Sequence, residues 1–319
     1  MTTTGRNSTR GEGAGTPARA AFSPGDLVAE RFLVVRLVGA GGLGEVYEVT
    51  DQALGGPAAL KVLKPSVSTN PVLLERFRRE IQNARRITHP NVCRVFDLGV
   101  HRAAGQHRLF VTMELLAGDT LASFLAARPA LATAEALPLL AQLAAGLQAA
   151  HDSGVIHRDL KPANVMLVPA EPASHRVAIT DFGLAISTDQ MDLGLTETWE
   201  LLGTPEYMAP ELTKRGTATP ATDVYALGLI AYEMLTKQLP FAPEATPIAT
   251  VLKRRHQKPR PLRDVLPGVD PAWDAAVARC LEPEPTRRFQ RPADFITALE
   301  EPPEKNRPKS RPRLRLPGR

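Results

Sequence analysis

Cysteine is almost absent from this chain of 319 residues: only Cys93 and Cys280 occur, each in an apolar setting. Two such thiols build no disulfide framework and are read as small buried apolar side chains, not as ligands or nucleophiles. A reducing compartment, the cytoplasm, is the expected location. Long hydrophobic runs are missing too. The leading MTTTGRNSTRGEGAGTPARAAFSPGD has no apolar core, which predicts neither a signal peptide nor an anchor. No segment approaches the roughly 18 apolar residues of a membrane span. The strongest stretch, 131–150, is interrupted by Glu135, Pro138, Gln142 and Gln148. There is no internal repeat.

What is present suits a globular core: 43% of residues are hydrophobic and 23% charged. The net charge of +5 is unevenly spread. Much of it lies in 301–319, EPPEKNRPKSRPRLRLPGR, a basic Pro- and Arg-rich stretch read as a disordered, solvated tail. Nucleic acid is not expected as its partner. Residues 1–27 are read as a disordered leading segment, leaving 28–300 as the folded domain.

Within that domain the pattern changes once. From Phe32, RFLVVRLV and EVYEVTD alternate around a glycine cluster, and GGPAALKVL predicts a further strand. Residues 72–88 have helical spacing, with Leu73, Phe77, Ile81 and Ala84 on one face. HPN ends that helix, and CRVFDLGV and RLFVTMELL supply two more strands. After Gly118 Ala- and Leu-rich helical segments dominate. The expectation is an α+β protein of two lobes, a small β-rich lobe of about 28–117 with one main helix and a larger α-rich lobe of about 118–300.

The glycine cluster is Gly39-Ala40-Gly41-Gly42-Leu43-Gly44. Glycines let a backbone approach phosphates and aim its N–H groups at them. Alone, GxGxxG equally fits a flexible hairpin. Here Glu45–Thr50 continues as a strand, so the glycines form a strand–loop–strand flap and not the start of a dinucleotide-binding helix. Lys61 follows inside an apolar strand, where a lysine is costly without a partner. A phosphate and a carboxylate are its natural partners, and Glu80, at the edge of the helix's apolar face, can supply the carboxylate. Further on, HRDLKPAN places Asp159 to take a hydroxyl proton and Lys161 to meet transferring phosphate charge. Asn164 and Asp181, the latter in ITDFGLA, offer oxygen donors for a divalent cation.

In that order, these motifs resemble the eukaryotic-type (Hanks-type) serine/threonine protein kinases, in the style of bacterial members, from about Phe32 to Leu299. GTPEYMAPE, TDVYALG and Arg288 in PTRRF complete the series. The resemblance implies an ATP-dependent transfer of the γ-phosphate to Ser and Thr hydroxyls of proteins in bacterial signal transduction. It implies that Val38, Gly39, Ala40, Gly41, Gly42, Leu43 and Gly44 cover the phosphates. Lys61 would contact the α- and β-phosphates and pair with Glu80. Val46 and Ala59 would cover the adenine, Met113 would be the gatekeeper, and the backbone from Glu114 to Leu116 would bond the adenine edge. Asp159 would be the catalytic base, with Lys161 on the γ-phosphate. Asn164 and Asp181 would bind magnesium, with manganese as the alternative. Glu211 and Arg288 would form a buried ion pair, and Asp223 would brace the catalytic loop.

Arg158, directly before the base, goes in the family with activation by phosphorylation of the loop after DFG. Phosphate adds about −1.5 to −2 charges, which arginine can meet. Thr196 and Thr198 are the expected autophosphorylation sites. Dimerisation through the small lobe is expected by family analogy only. Four features depart from the family pattern: Leu43 at the flap tip, Ala84 below Glu80, Ala163 in the catalytic loop, and PAEPASH, read as an enlarged hairpin loop. Ala84 predicts a helix held less firmly inward. Ala163 weakens the case for a basic recognition motif. Two other readings compete: a pseudokinase scaffold, opposed by the intact Lys61, Asp159, Asn164 and Asp181, and a small-molecule phosphotransferase, which would not need the GTP and APE-like elements.

Overall fold

The computed structural model describes residues 20–41, 44–65, 71–103, 106–170, 174–182, 205–214, 217–242, 244 and 246–300. Gly42, Leu43, Thr196, Thr198 and the basic tail therefore lie outside the described residues.

The small lobe is built on one antiparallel sheet. Strands β1 (Leu27–Val28), β2 (Phe32–Gly41), β3 (Gly44–Asp51), β4 (Pro57–Leu63), β5 (Val95–Ala103) and β6 (Gln106–Met113) are ordered β1-β2-β3-β4-β6-β5. Alternation along β4 decides where its side chains go. Ala58, Leu60 and Val62 join Tyr47, Val49 and Phe110 in one buried cluster. Ala59 and Leu63 face the other way, against Phe77 and Ile81 of helix α1 (Pro71–Ala84). The two-residue period puts Lys61 on that second face. Burying a side chain such as Leu60 or Phe110 stabilises the lobe by about 1.5–3 kcal/mol.

Two expectations change here. The helix expected over 72–88 ends at Ala84. The next residues form turns, Arg86 N to Asn83 O and Ile87 N to Ala84 O, which carry Ile87 into the large-lobe core. Residues 20–27, expected to be disordered, are tied to the sheet, with Gly25 N donating to Val34 O and Val34 N to Asp26 O, each at 2.9 Å, although 23–27 stay exposed. Phe22 is buried against Tyr47 and His101, and its N–H donates to Tyr47 Oη at 3.1 Å. Phe22 in that buried cluster and the backbone hydrogen bonds beside it hold the segment, and β1 is too short for periodicity to reveal.

The large lobe packs helices around α4 (Pro220–Thr236), whose residues are buried almost without break from Ala221 to Leu235. A helix apolar on all sides belongs at a core's centre. Helices α2 (Leu121–Ala126) and α3 (Thr133–Asp152) precede it, and α5 (Pro247–Lys253), α6 (Leu262–Val265), α7 (Pro271–Cys280) and α8 (Pro292–Glu300) follow. Strands β7 (Asp119–Thr120), β8 (Val165–Ala170) and β9 (Ser174–Ile179) form a second sheet. The strands extend into PAEPASH from both sides, shortening the loop expected there, because Pro169 pairs with His175 and Ala170 with Ser174.

The lobes are stitched at the segment around HPNV. Cys93 N donates to Ile179 O at 2.8 Å and Ile179 N to Asn91 O at 2.9 Å. Helix α3 passes so near that a Cβ on Gly146 would lie 2.7 Å from Asn91 O. Both cysteines are buried, and burial pushes both thiols well above their ordinary range, as expected for inert core groups.

Candidate active site

The catalytic loop is held from below. Asp223, in the first turn of α4, is 1% exposed and accepts from His157 N at 2.8 Å, Arg158 N at 2.9 Å and His151 Nε2 at 2.7 Å. Burial alone would raise its pKa, but the His151 hydrogen bond, with His157 adding to it, outweighs burial and lowers it, so the carboxylate stays ionised. His157, itself buried, holds Thr180 O through Nε2 at 2.8 Å and meets Phe182 edge-on. These contacts keep Arg158 at φ 68°, a left-handed conformation that costs about 1–3 kcal/mol for a non-glycine residue.

On top of this support lies a compact polar group. Lys161 Nζ is 2.8 Å from Asp159 Oδ2 and 3.1 Å from Oδ1. Asn164 Nδ2 donates to Asp159 O at 2.8 Å and to Oδ2 at 3.1 Å. The Pro162–Asn164 turn lets residues 159, 161 and 164 converge. Asp159 is a carboxylate held in one rotamer by two donors, and its side chain remains 26% exposed. A hydroxyl could therefore reach it.

Across the cleft, Lys61 Nζ reaches Asp181 Oδ1 at 2.8 Å, and Asp181 has φ 64°. Lys61 is buried on the inner face of β4, where its charge needs a carboxylate. The expected pairing of Lys61 with Glu80 is thus replaced. Glu80 instead accepts from Arg158 Nη1 at 2.8 Å. Lys61 with Asp181 and Arg158 with Glu80 thus form two ion pairs in the cleft. Arg158, with its left-handed backbone, holds Glu80, while Lys61 holds Asp181.

Above the cleft, β2 runs to Gly41 and β3 starts at Gly44, and these two glycines pair across antiparallel strands. Gly44 has φ 153°, and a Cβ there would lie 1.8 Å from Val62 O. No such obstacle surrounds Gly39 or Gly41. Ala59 and Met113 are cross-strand partners, and Val46 and Leu116 pack with them in one apolar cluster, a slot wall fit for a flat ring. Val38 lies exposed at the flap's base. Glu114 is fixed by its N–H to Arg94 O at 2.9 Å and its Oε1 to Arg176 at 2.7 Å.

The donor set suits magnesium. Asn164 and Asp181 present hard oxygens, and this cation usually takes one or two carboxylates with phosphate and water completing its shell. Among the described residues no three His, Cys, Asp or Glu side chains cluster as a closed metal cage.

Below the site, Arg288 is fully buried and clamps Glu211 with Nη1–Oε1 at 2.9 Å and Nη2–Oε2 at 2.8 Å. This is the ion pair expected from the sequence. Sequence reasoning missed two contacts to the 205–210 segment: Tyr207 Oη to Glu233 Oε2 at 2.5 Å, and buried Arg254 to the carbonyls of Glu206 and Met208. The only available signal was a spacing of three between apolar Val251 and Arg254, inside a run of cations that looks solvated.

Fold and cleft define a two-lobed phosphotransferase-type architecture, and comparison with known proteins gives it a family. The protein kinase domain model matches residues 32–299, and the chain belongs to the protein kinase family. It is 35% identical over 276 residues to serine/threonine-protein kinase PknA of Mycobacterium tuberculosis, covering 86% of this chain and 62% of that protein. Serine/threonine-protein kinase pkn3 of Myxococcus xanthus is 34% identical over 268 residues, covering 83% of this chain and 48% of the relative. The chain thus spans at most about three-fifths of these curated relatives. Among solved structures, the Mycobacterium tuberculosis PknI kinase domain superposes with a TM-score of 0.70 at 29% identity, covering 88% of this chain and 98% of that one. No described helix is long and apolar enough to cross a membrane.

Proposed function

We propose that the chain is an ATP-dependent serine/threonine protein kinase of bacterial signalling, acting in the cytoplasm. The observation that carries this reading is the convergence of Lys161 and Asn164 on Asp159, facing the Lys61–Asp181 pair across the cleft. Asp159 accepts the proton of a Ser or Thr hydroxyl as its oxygen bonds to the γ-phosphorus. The bond from that phosphorus to the β–γ bridging oxygen breaks, and ADP leaves. Lys161 meets the charge of the transferring group, and Lys61 that of the α- and β-phosphates. Magnesium held by Asn164 and Asp181 would neutralise charge on the phosphate oxygens, with manganese as the alternative. Residues 38–44, Val46, Ala59, Met113, Glu114 and Leu116 surround the nucleotide, and Glu80 joins Lys61 in the working arrangement.

Protein substrates suit this chain better than metabolites because a peptide-docking segment, 205–211, is tied down by Arg288, Glu233 and Arg254. The relatives' names, all serine/threonine kinases, support the same choice. Thr196 and Thr198 are the autophosphorylation sites in this reading, and association of two chains rests on family analogy alone. Labelled ATP with magnesium tests the whole: self-labelling on threonine, lost in Asp159→Asn, is expected. Labelling of a small metabolite alone, or none, overturns it. Phosphopeptide mapping that finds neither Thr196 nor Thr198 modified, with activity intact in the double alanine variant, removes the autophosphorylation sites.

A further inference from the structure

Arg254 is an unusual arginine. It follows helix α5 directly, lies in the run LKRRHQK, and yet is 1% exposed, while Lys253 before it is exposed and Arg255 after it half-buried. Buried guanidinium groups are ordinarily matched by a carboxylate, because the charge gives up its hydration. Arg288 follows that rule with Glu211. Arg254 does not: no carboxylate lies in salt-bridge range of it among the described residues, and its Nε has no partner there. Burial pushes its pKa down from the ordinary arginine range.

Its two polar contacts go to one short piece of backbone. Nη2 donates to Glu206 O at 2.6 Å and Nη1 to Met208 O at 3.2 Å, while the guanidinium sits 5.2 Å from the Phe241 ring centroid. The planar fork therefore grips two alternate carbonyls at once through two separate nitrogens, a geometry that the single nitrogen of a lysine does not reproduce. The gripped residues belong to 205–210, an irregular segment of single 3-10 turns with little hydrogen bonding of its own. Tyr207 lies between the two carbonyls and is tied to Glu233 of α4. Glu211, just beyond, is clamped by Arg288. Each anchor comes from a different part of the large lobe, and Arg254 is the one that α5 contributes.

We infer that Arg254 is a positioning residue that sets the height and shape of the 205–210 segment, so that a substrate peptide lying on it presents its hydroxyl to Asp159. This rests on the protein-kinase reading above and goes beyond it by naming what makes peptide capture, as distinct from nucleotide capture, depend on α5. Arg254 touches neither the catalytic cluster nor the nucleotide slot, so its removal should act on the protein substrate and not on ATP.

The test uses the full chain, with ATP, magnesium and a single-threonine peptide selected by wild-type chain from a randomised library. The chains compared are wild type, Arg254→Met and Arg254→Lys. In Arg254→Met the KM for peptide should rise by roughly tenfold, the scale of one lost charge-assisted hydrogen bond. The KM for ATP should stay within about twofold of wild type. Arg254→Lys, which keeps the charge but replaces the fork by one nitrogen, should fall between the two. Should Arg254→Met fail to fold, as its melting curve would report, the Lys variant decides by the same split. An unchanged peptide KM, or parallel rises in both KM values with a falling melting temperature, overturns the inference and leaves Arg254 a packing residue. A wild-type chain that labels no peptide overturns the kinase reading and this inference with it.

Discussion

Arg158 Nη1 lies 2.8 Å from Glu80 Oε1, tying the catalytic loop to helix α1 of the other lobe. Lys61, the cation expected beside Glu80, is 2.8 Å from Asp181. Phosphate on Thr196 or Thr198 would offer Arg158 a stronger anion than a single carboxylate. Glu80 would then be released toward Lys61, and Asp181 toward the metal. Preincubation with ATP and magnesium should raise wild-type activity in a time-dependent way, and Arg158→Met should lose most of that rise. An equal rise in the variant would show that Arg158 takes no part in activation.

The Glu211–Arg288 pair makes a stability prediction. Arg288 Nη1 also donates to Ala221 O at 2.9 Å and Nη2 to Pro283 O at 3.0 Å, so the guanidinium is well satisfied while Glu211 is present. Glu211→Ala leaves a buried charge without its anion and should cost about 3–5 kcal/mol. That corresponds to a melting temperature lower by about 6–20 °C. Replacing both residues by apolar ones of similar volume should cost clearly less than Glu211→Ala, because no unpaired charge remains.

Gly44 predicts a contrast within one loop. Gly44→Ala places a methyl on Val62 O at a φ that alanine rarely adopts, so it should lower both the melting temperature and the affinity for ATP. Gly39→Ala meets open space and should leave the melting temperature unchanged. Differential scanning and nucleotide titration of the two variants check this.

Asp51 carries a pH dependence. Arg31 Nε and Nη2 bond its two oxygens at 2.9 Å and 2.6 Å, and the Ala53 and Leu54 N–H groups add to them. The Arg31 hydrogen bonds hold its carboxyl down to about 2. A depressed folded pKa means that the contribution is complete above the unfolded value of about 4 and fades as pH falls toward about 2. Asp51→Asn should therefore destabilise the chain at neutral pH, and the gap to wild type should narrow in denaturant titrations from pH of about 5 down to about 3. A gap that widens on acidification would show that Asp51 is not held ionised by Arg31.

The lobes and the catalytic groups were readable in the sequence because both are local patterns. Alternation marks β4 and so orients Lys61, and HRDLKPAN packs Asp159, Lys161 and Asn164 into a single turn. The Glu211–Arg288 pair was readable through the resemblance, but the pairing across the cleft was not. Whether Lys61 takes Glu80 or Asp181 depends on where α1 and the catalytic loop meet in three dimensions, which leaves no mark in composition. Phe22 escaped notice because it is one aromatic residue in a segment otherwise typical of a disordered tail. Arg254 escaped for a related reason: a run of cations looks solvated, and only the packing of α5 against 205–214 shows which one turns inward.

The central claim is that Asp159 is the base of a phosphate transfer to protein hydroxyls. The direct measurement is the rate of γ-phosphate transfer from ATP to a threonine peptide, wild type against Asp159→Asn, with nucleotide affinity measured in parallel. Nucleotide affinity should be retained and the transfer rate should fall by about 10²–10⁴-fold, the worth of a positioned general base. Transfer by Asp159→Asn at the wild-type rate, with the same product on the same threonine, would contradict the account.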